Sequence, residues 1–343
     1  MITGTAQADA WKRRVLPPVE QPRPGLWSIP VPIVDNPMRY TLCYVFPDDS
    51  GLVVVDPGWD SDEARAALTA GLASAGAAPA DVRGIVLTHA HPDHHGLSGW
   101  LREASGAWIG MHPAEAETLP ARAWKGRHPG VDPDWLGLHG VPEKEVGSLG
   151  VDPDRMAALL AMPAPDREIN DGDRLPLAGR SVRAVWTPGH TPGHLCLHDA
   201  TAGVLLTGDH LLPRISPNVA VLPTSVGDPL GDYLASLART AGFGGDEALP
   251  AHEYRFSGID ARAAELIEHH GAREAEILRA VEALDEPTGW AVAARLTWSR
   301  GWDSLHGMLQ RMALAETLAH LEHLAARGVL QRLPGTPAVW QKA

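Results

Sequence analysis

Thr88-His89-Ala90-His91-Pro92-Asp93-His94-His95-Gly96 is the stretch whose reading decides the fold. It directly follows the short apolar run Gly84-Ile85-Val86-Leu87, which reads as a buried strand, so the histidines sit in a loop at a strand end. Residues 89–94 hold three imidazoles and a carboxylate. Ordering these groups so close together is unfavourable unless a cation uses their lone pairs. Neutral imidazole and carboxylate oxygen suit Zn²⁺, Fe or Mn. The competing reading is a polar loop with exposed histidines.

Three further segments repeat this placement. Thr187-Pro188-Gly189-His190-Thr191-Pro192-Gly193 sets a histidine between two stiff turns after a strand-like run. Leu206-Thr207-Gly208-Asp209 ends another apolar run in a carboxylate, and Leu249-Pro250-Ala251-His252 ends a third in a histidine. Each residue alone is more often structural. Four such strand ends in one chain point to one shared site.

Around these segments the pattern is α/β. Residues 25–55 read as antiparallel strands separated by turns at 35–37 and 48–51, and 61–75 read as a helix capped by Ser61. Strands resume at 174–179, 181–190, 194–200 and 203–209, followed by a helix at 229–240 and a last strand before His252. Two strand-then-helix passes suit two sheet layers covered by outer helices. Residues 1–24 read as a loose N-terminal arm. Residues 113–165 mix Pro, Gly, Trp and His with helical fragments and read as an insertion that covers something, as long segments within domains often do. From 258 to 343 come three helical stretches and a strand–turn–strand pair, the order of a winged helix, so a domain boundary is expected near 257.

Composition narrows the classes. The chain has 343 residues, 44% hydrophobic and 21% charged, which fits a globular protein of about two domains. It contains no apolar run long enough to span a bilayer, no apolar leader segment, and only two distant cysteines, so a cytoplasmic location without disulfides is expected. A net charge of -13 counts against nucleic acid as partner.

Taken together, the HxHxDH pattern at 89–94 with His190, Asp209 and His252 resembles the metallo-β-lactamase fold superfamily over roughly residues 25–255. The resemblance implies an αββα sandwich with metals at one edge, followed by a small α-rich winged-helix domain. Carried over residue by residue, His89, His91 and His190 would hold a first metal, Asp93, His94 and His252 a second, and Asp209 would bridge them. Asp93 and Asp209 are also the candidate catalytic carboxylates. Asp56, in Asp56-Pro57-Gly58, would orient a ligand imidazole from behind. The implied cofactors are two divalent ions, Zn²⁺ first, with Fe or Mn as options. The implied chemistry is attack on a carbonyl carbon by a hydroxide held between the two ions.

Within the superfamily, an aspartate bridge argues against antibiotic hydrolysis as the main role. The histidine at 91 and the lack of a flavodoxin domain argue against the flavodiiron branch. The preferred reading is a hydrolase of small-molecule esters or thioesters, hydroxyacylglutathione-hydrolase-like or lactonase-like. The alternative is a metal-dependent ribonuclease of the winged-helix subgroup. Residues 258–343 hold nine Lys and Arg against eleven Asp and Glu, so the tail is expected to be a structural cover or homodimer contact rather than a nucleic-acid grip. Trp124 and Trp135 in the insertion, with Met156, Leu159, Leu160 and Met162, are expected to wall an acyl group, and Arg214 to clamp a carboxylate or phosphate. No second strong motif attaches to His95, His112, His194 or His210.

Overall fold

A computed structural model describes residues 1–119, 132–150 and 153–343. Its centre is two facing sheets. The first runs β1 (Glu20–Arg23), β2 (Leu26–Pro32), β3 (Tyr40–Asp48), β4 (Gly51–Val55), β5 (Val82–Val86), β6 (Trp108–Met111) and β7 (Arg167–Glu168), in that spatial order. Its pairs are antiparallel up to β4 and parallel from β4 to β7. The second sheet comprises β8 (Val182–Trp186), β9 (Leu195–Asp199), β10 (Val204–Gly208), β11 (Glu247–Pro250) and β12 (Phe256–Ser257), with β10 and β11 parallel.

Alternation along the strands builds the layers. Tyr40, Leu42, Tyr44 and Phe46 of β3 point between the sheets and meet Val182, Leu195, Leu197, Val204 and Leu206. Their odd-numbered neighbours Cys43 and Val45 point outward, where Leu68 and Leu72 of α2 (Asp62–Ser74) and Leu101 of α3 (Ser98–Ser105) cover them. On the far side, Val185, Cys196 and Leu205 lie under Leu230, Tyr233 and Leu237 of α4 (Pro229–Thr240). Both cysteines are buried and free. No described helix is long and apolar enough to cross a membrane.

Three expectations need correction. Residues 5–13 are not a loose arm: Thr5–Arg13 is a helix, α1, whose Ala8 and Trp11 pack into the core between the sheets. Its apolar face is too short to stand out from a chain rich in alanine. Residues 174–179 make only a single bridge, Arg174 to Arg183. Pro176 cannot donate to a ladder, and Leu175 and Leu177 are buried without one. The third concerns the insertion. Leu136, Val141 and Leu149 are buried in a separate cluster with α5 (Ile259–Ala283), α6 (Gly289–Arg295) and α7 (Met308–Ala326), joined by Leu330 of β13 (Leu330–Leu333) and Trp340 of β14 (Val339–Lys342). Backbone bonds sew it down: Trp290 N–H donates to the His139 carbonyl at 2.9 Å and Ala338 N–H to the Leu138 carbonyl at 2.8 Å. The middle of the insertion thus anchors the tail. The first half of α5 also belongs to the sandwich, since Ile259, Ala263 and Leu266 lie in the cluster under the second sheet.

Candidate metal centre

The polar residues converge at the carboxyl ends of the strands, where open α/β sheets place ligands. Asp56 follows β4, His89 follows β5, His190 follows β8, Asp209 follows β10 and His252 follows β11. Two left-handed residues turn the chain sharply there. Asp56 has φ +51° and Gly208 φ +50°. A Cβ at Gly208 would lie 2.6 Å from His194 Nε2, which is why glycine precedes the aspartate.

Imidazoles from His89, His91, His94, His190 and His252 face the carboxylates of Asp93 and Asp209 inside this edge. His89 Nε2 is 2.9 Å from His91 Nδ1, and His190 Nε2 lies 3.1 Å from His91 Nδ1 and 3.3 Å from His89 Nε2. Donors on a tetrahedral zinc are themselves roughly 3.3 Å apart. The other nitrogen of three of these rings is already committed. His190 Nδ1 donates to the Asn218 carbonyl at 2.7 Å, His94 Nδ1 to Asp56 Oδ2 at 2.8 Å, and His252 Nδ1 to the Tyr40 carbonyl at 2.8 Å. Each therefore aims an Nε2 lone pair inward. Asp209 spans the space: Oδ1 is 3.3 Å from His252 Nε2 and 3.6 Å from His94 Nε2, while Oδ2 is 3.8 Å from His190 Nε2. Asp93 Oδ2 is 3.5 Å from His252 Nε2.

These donors fit divalent cations. His94 Nε2, His252 Nε2 and Asp209 Oδ1 are buried and have no hydrogen-bond partner, and orphaned buried polar atoms are costly unless something unseen satisfies them. Three overlapping groups meet the spacing of a metal site: His89, His91 and His190; His89, His94 and Asp209; and Asp93, His94 and His252. Burial, reinforced by the neighbouring rings, pushes His89 well below its ordinary pKa and His91 down to about 3. Burial lowers His190 as well. These rings are neutral and free to donate lone pairs. His94 and His252 go the other way: burial opposes their charge, but the nearby carboxylates together outweigh it, Asp209 with Asp56 at His94 and Asp209 with Asp93 at His252, and raise both. What the Asp209 side of the site lacks is positive charge.

Around the inner ring sits a layer of orienting groups. The Asp56 carboxylate accepts from Thr88 N–H at 2.8 Å and from Thr88 Oγ1 at 2.6 Å besides holding His94. Two residues with no motif behind them prove to matter. Glu115, buried, accepts from Ala90 N–H at 2.7 Å and Gly193 N–H at 2.9 Å, one oxygen to each. It ties the HxHxDH loop to the His190 loop. His194 Nε2 accepts from Asp209 N–H at 3.1 Å while Nδ1 faces Thr187 Oγ1 at 2.8 Å. The only hints were a proline-started acidic turn after a strand, His112-Pro113-Ala114-Glu115, and a second histidine four residues past His190.

Of the residues expected to meet substrate, the described ones have other packing partners. Trp135 packs in the tail cluster, its ring 4.9 Å from His139 and under Arg311 at 6.0 Å. Leu159 and Met162 join the layer outside the first sheet, and Leu160 is exposed. The apolar wall inferred for the insertion is therefore withdrawn for these residues. Trp124 lies outside the described residues. Arg214 is not a free clamp: its Nε sits 3.5 Å from Oε1 of Glu253, a fully buried carboxylate beside His252 that needs a counter-charge. His95 is buried between Ser98 and the Pro163 carbonyl, and His210 is buried against Thr240.

Comparison with known proteins agrees with this geometry. The family description "Metallo-beta-lactamase superfamily" matches residues 37–252. Two fungal relatives are the lactamase-like protein vrtG of Penicillium aethiopicum, 30% identical over 50% of this chain and 50% of its own, and the lactamase-like protein adaB of Aspergillus niger, 29% identical over 62% of each. The chain thus spans about half to three-fifths of the length of these curated relatives. Among solved structures, a metallo-beta-lactamase family protein from Thermus thermophilus superposes with TM-score 0.77 at 33% identity, covering 94% of this chain and 99% of the other. A beta-lactamase domain protein from Burkholderia ambifaria gives 0.78 at 27% identity, covering 95% and 93%. Members of the superfamily are generally metal-dependent hydrolases. The chain belongs to the metallo-beta-lactamase superfamily.

Proposed function

We propose that this protein is a two-metal hydrolase of small-molecule esters or thioesters, built from a catalytic sandwich that precedes residue 258 and includes the core-packed helix Thr5–Arg13, and a winged-helix tail over 258–343 whose first helix begins against that sandwich. The observation that carries the reading is Asp209, whose two oxygens face different imidazole groups, Oδ1 toward His94 and His252 and Oδ2 toward His190. In this reading His89, His91 and His190 hold one ion, Asp93, His94 and His252 the other, and Asp209 both. Zn²⁺ suits the nitrogen-rich donors, with Fe and Mn as the other candidates.

Bound there, two divalent ions supply Lewis acidity and make water nucleophilic near neutral pH. The chain's own part is to present lone pairs already aimed at the moment of reaction. Asn218, Asp56 and Tyr40 lock three rings in one tautomer, and outer partners of this kind tune a site strongly. Asp209 would bridge the ions and accept a hydrogen bond from the attacking water or hydroxide. No side chain has to act as the nucleophile.

The tail's charge favours a small-molecule substrate over RNA: residues 258–343 hold more Asp and Glu than Lys and Arg, Arg311 is buried against the Leu149 carbonyl, and Arg327 and Arg332 are paired with Glu274 and Glu322.

A panel of thioesters, lactones, simple esters, β-lactams and RNA, assayed with Zn²⁺, Mn²⁺ and Fe²⁺, tests the proposal. Metal-dependent turnover of an ester or thioester is expected. RNA cleavage or β-lactam opening without esterase activity would overturn the substrate class; the relatives named lactamase-like make the β-lactam arm necessary.

A further inference from the structure

We infer that the tail is a working part of the metal centre, setting the position of His190 through Asn218 and Glu316. The inference rests on the reading of His190 as a metal ligand.

The outer partners of His89, His94 and His252 all belong to the first sheet or its strand ends. His89 Nδ1 meets Thr88 Oγ1 at the end of β5, His94 meets Asp56 at the end of β4, and His252 meets the Tyr40 carbonyl in β3. These supports are fixed by ladders. His190 differs: its Nδ1 donates to the carbonyl of Asn218, in the segment 211–228 that joins Asp209 to α4 and contains no helix or strand. A loop carbonyl is only as fixed as the contacts that hold its loop.

Those contacts come from the tail. The Asn218 amide donates to Glu316 Oε2 of α7 at 3.1 Å. Three residues further on, Val221 N–H donates to the Ala315 carbonyl of the same helix at 3.0 Å. On the other flank, Arg262 of α5 donates from Nε to the Leu212 carbonyl at 2.8 Å and from Nη2 to the Ile215 carbonyl at 2.9 Å. Val219 is fully buried in the cluster that also holds Ala319. The segment is therefore clamped on both sides of Asn218 by helices α5 and α7. Glu316 holds Asn218 itself and Arg262 holds the segment ahead of it, and neither is bonded to a candidate ligand, so they are positioning residues.

The test uses the full chain. Glu316→Leu and Asn218→Ala remove the clamp bond from either side, Glu316→Gln keeps an acceptor oxygen, and Leu324→Ala damages the tail core without removing any of the hydrogen bonds that hold the segment. Zn²⁺ affinity is read by competition with a chromophoric chelator, and ligand geometry by the visible spectrum of the Co²⁺-loaded protein. Glu316→Leu and Asn218→Ala are expected to weaken one of the two ions by about 10–100-fold and to shift the Co²⁺ bands, while Glu316→Gln stays close to the unaltered chain. Leu324→Ala is expected to lower the unfolding midpoint and leave affinity alone. Unchanged affinity and spectrum in Asn218→Ala and in folded Glu316→Leu would overturn the inference, as would an equal loss of affinity in Leu324→Ala. An unaltered chain that takes up no ion at all would instead remove the metal reading beneath it.

Discussion

Glu115→Ala should loosen the metal edge from behind, without touching a ligand. The carboxylate is buried and its two oxygens serve two backbone donors, Ala90 N–H at 2.7 Å and Gly193 N–H at 2.9 Å. Ala90 lies between His89 and His91, and Gly193 lies three residues past His190. Removing the side chain leaves both N–H groups buried and unpaired, about 1–3 kcal/mol each. Part of this is returned, because burial raises the Glu115 pKa even against its hydrogen bonds, so the charge itself is not comfortable there. A net loss of about 2–4 kcal/mol follows. Glu115→Gln retains one acceptor and should lose about half as much. Urea denaturation of the metal-free chain measures the stability, and elemental analysis of the reconstituted chain measures the ions held. The expected result is a lower midpoint in the order unaltered, Gln, Ala, with ion content falling in the same order. If Glu115→Ala unfolds at the unaltered midpoint and still holds its full complement of metal, the carboxylate is not what keeps the two ligand loops in register.

Four other outcomes follow from the same geometry. Asp209→Ala should leave the fold but cost several kcal/mol of transition-state stabilisation and at least one bound ion, read by turnover and elemental analysis; normal turnover would refute the bridge. Gly193→Ala should be more harmful than an ordinary loop substitution, since its Cβ would lie 2.3 Å from the Glu115 backbone nitrogen; a circular-dichroism melt identical to that of the unaltered chain would show that the contact relaxes freely. Trp135→Ala should lower stability by about 2 kcal/mol or more and leave KM unchanged for long and short acyl esters alike, because the ring packs in the tail; a selective rise in KM for long acyl groups would restore it to the substrate pocket. The buried pair His270 and His320, 3.1 Å apart between α5 and α7, should make the tail acid-labile. Burial, reinforced by nearby positive charge such as that of Arg273, holds His270 at about 3 and His320 at about 4 against an ordinary 6.5. The unfolded chain therefore binds more protons between about pH 6.5 and 4, and stability falls with falling pH by about 1.4 kcal/mol per unit for each ring. His320→Gln should flatten that slope in pH-dependent unfolding followed by tryptophan fluorescence, and an unchanged slope would assign the titration elsewhere.

Local chemistry explains what was legible in the sequence. His89, His91, Asp93 and His94 stand within six residues, and short apolar runs that end in a polar residue mark Asp209 and His252. Such signals survive without any knowledge of long-range contacts. The helix over 229–240 was equally plain, with Asp228 capping it and Pro229 at its first position. What stayed hidden depends on partners distant in the chain. Glu115 matters because Gly193 is brought to it from 78 positions away, and His194 matters because a backbone N–H fifteen residues on points at its ring. Neither N–H carries a residue type to read.

The insertion shows why composition misleads in such cases. Trp135, Leu136, Val141 and Leu149 have the apolar density of a substrate wall, and also of an ordinary packing strap. Periodicity cannot say which surface they meet. The tail decides it, because α5, α6 and α7 have an apolar side of their own to bury, and the strap completes that cluster with Leu314, Leu318 and Leu321. The same helices then reach the other way, through Arg262 and Glu316, to the segment that follows Asp209. In the tail Arg262, Arg273, Arg311, Arg327, Arg332 and Lys342 are engaged by internal carboxylates or carbonyls, and acids outnumber bases, which leaves no basic strip for a polyanion. The tail holds the insertion on one side and the His190 support on the other, which is a physical reason for the catalytic sandwich to retain it.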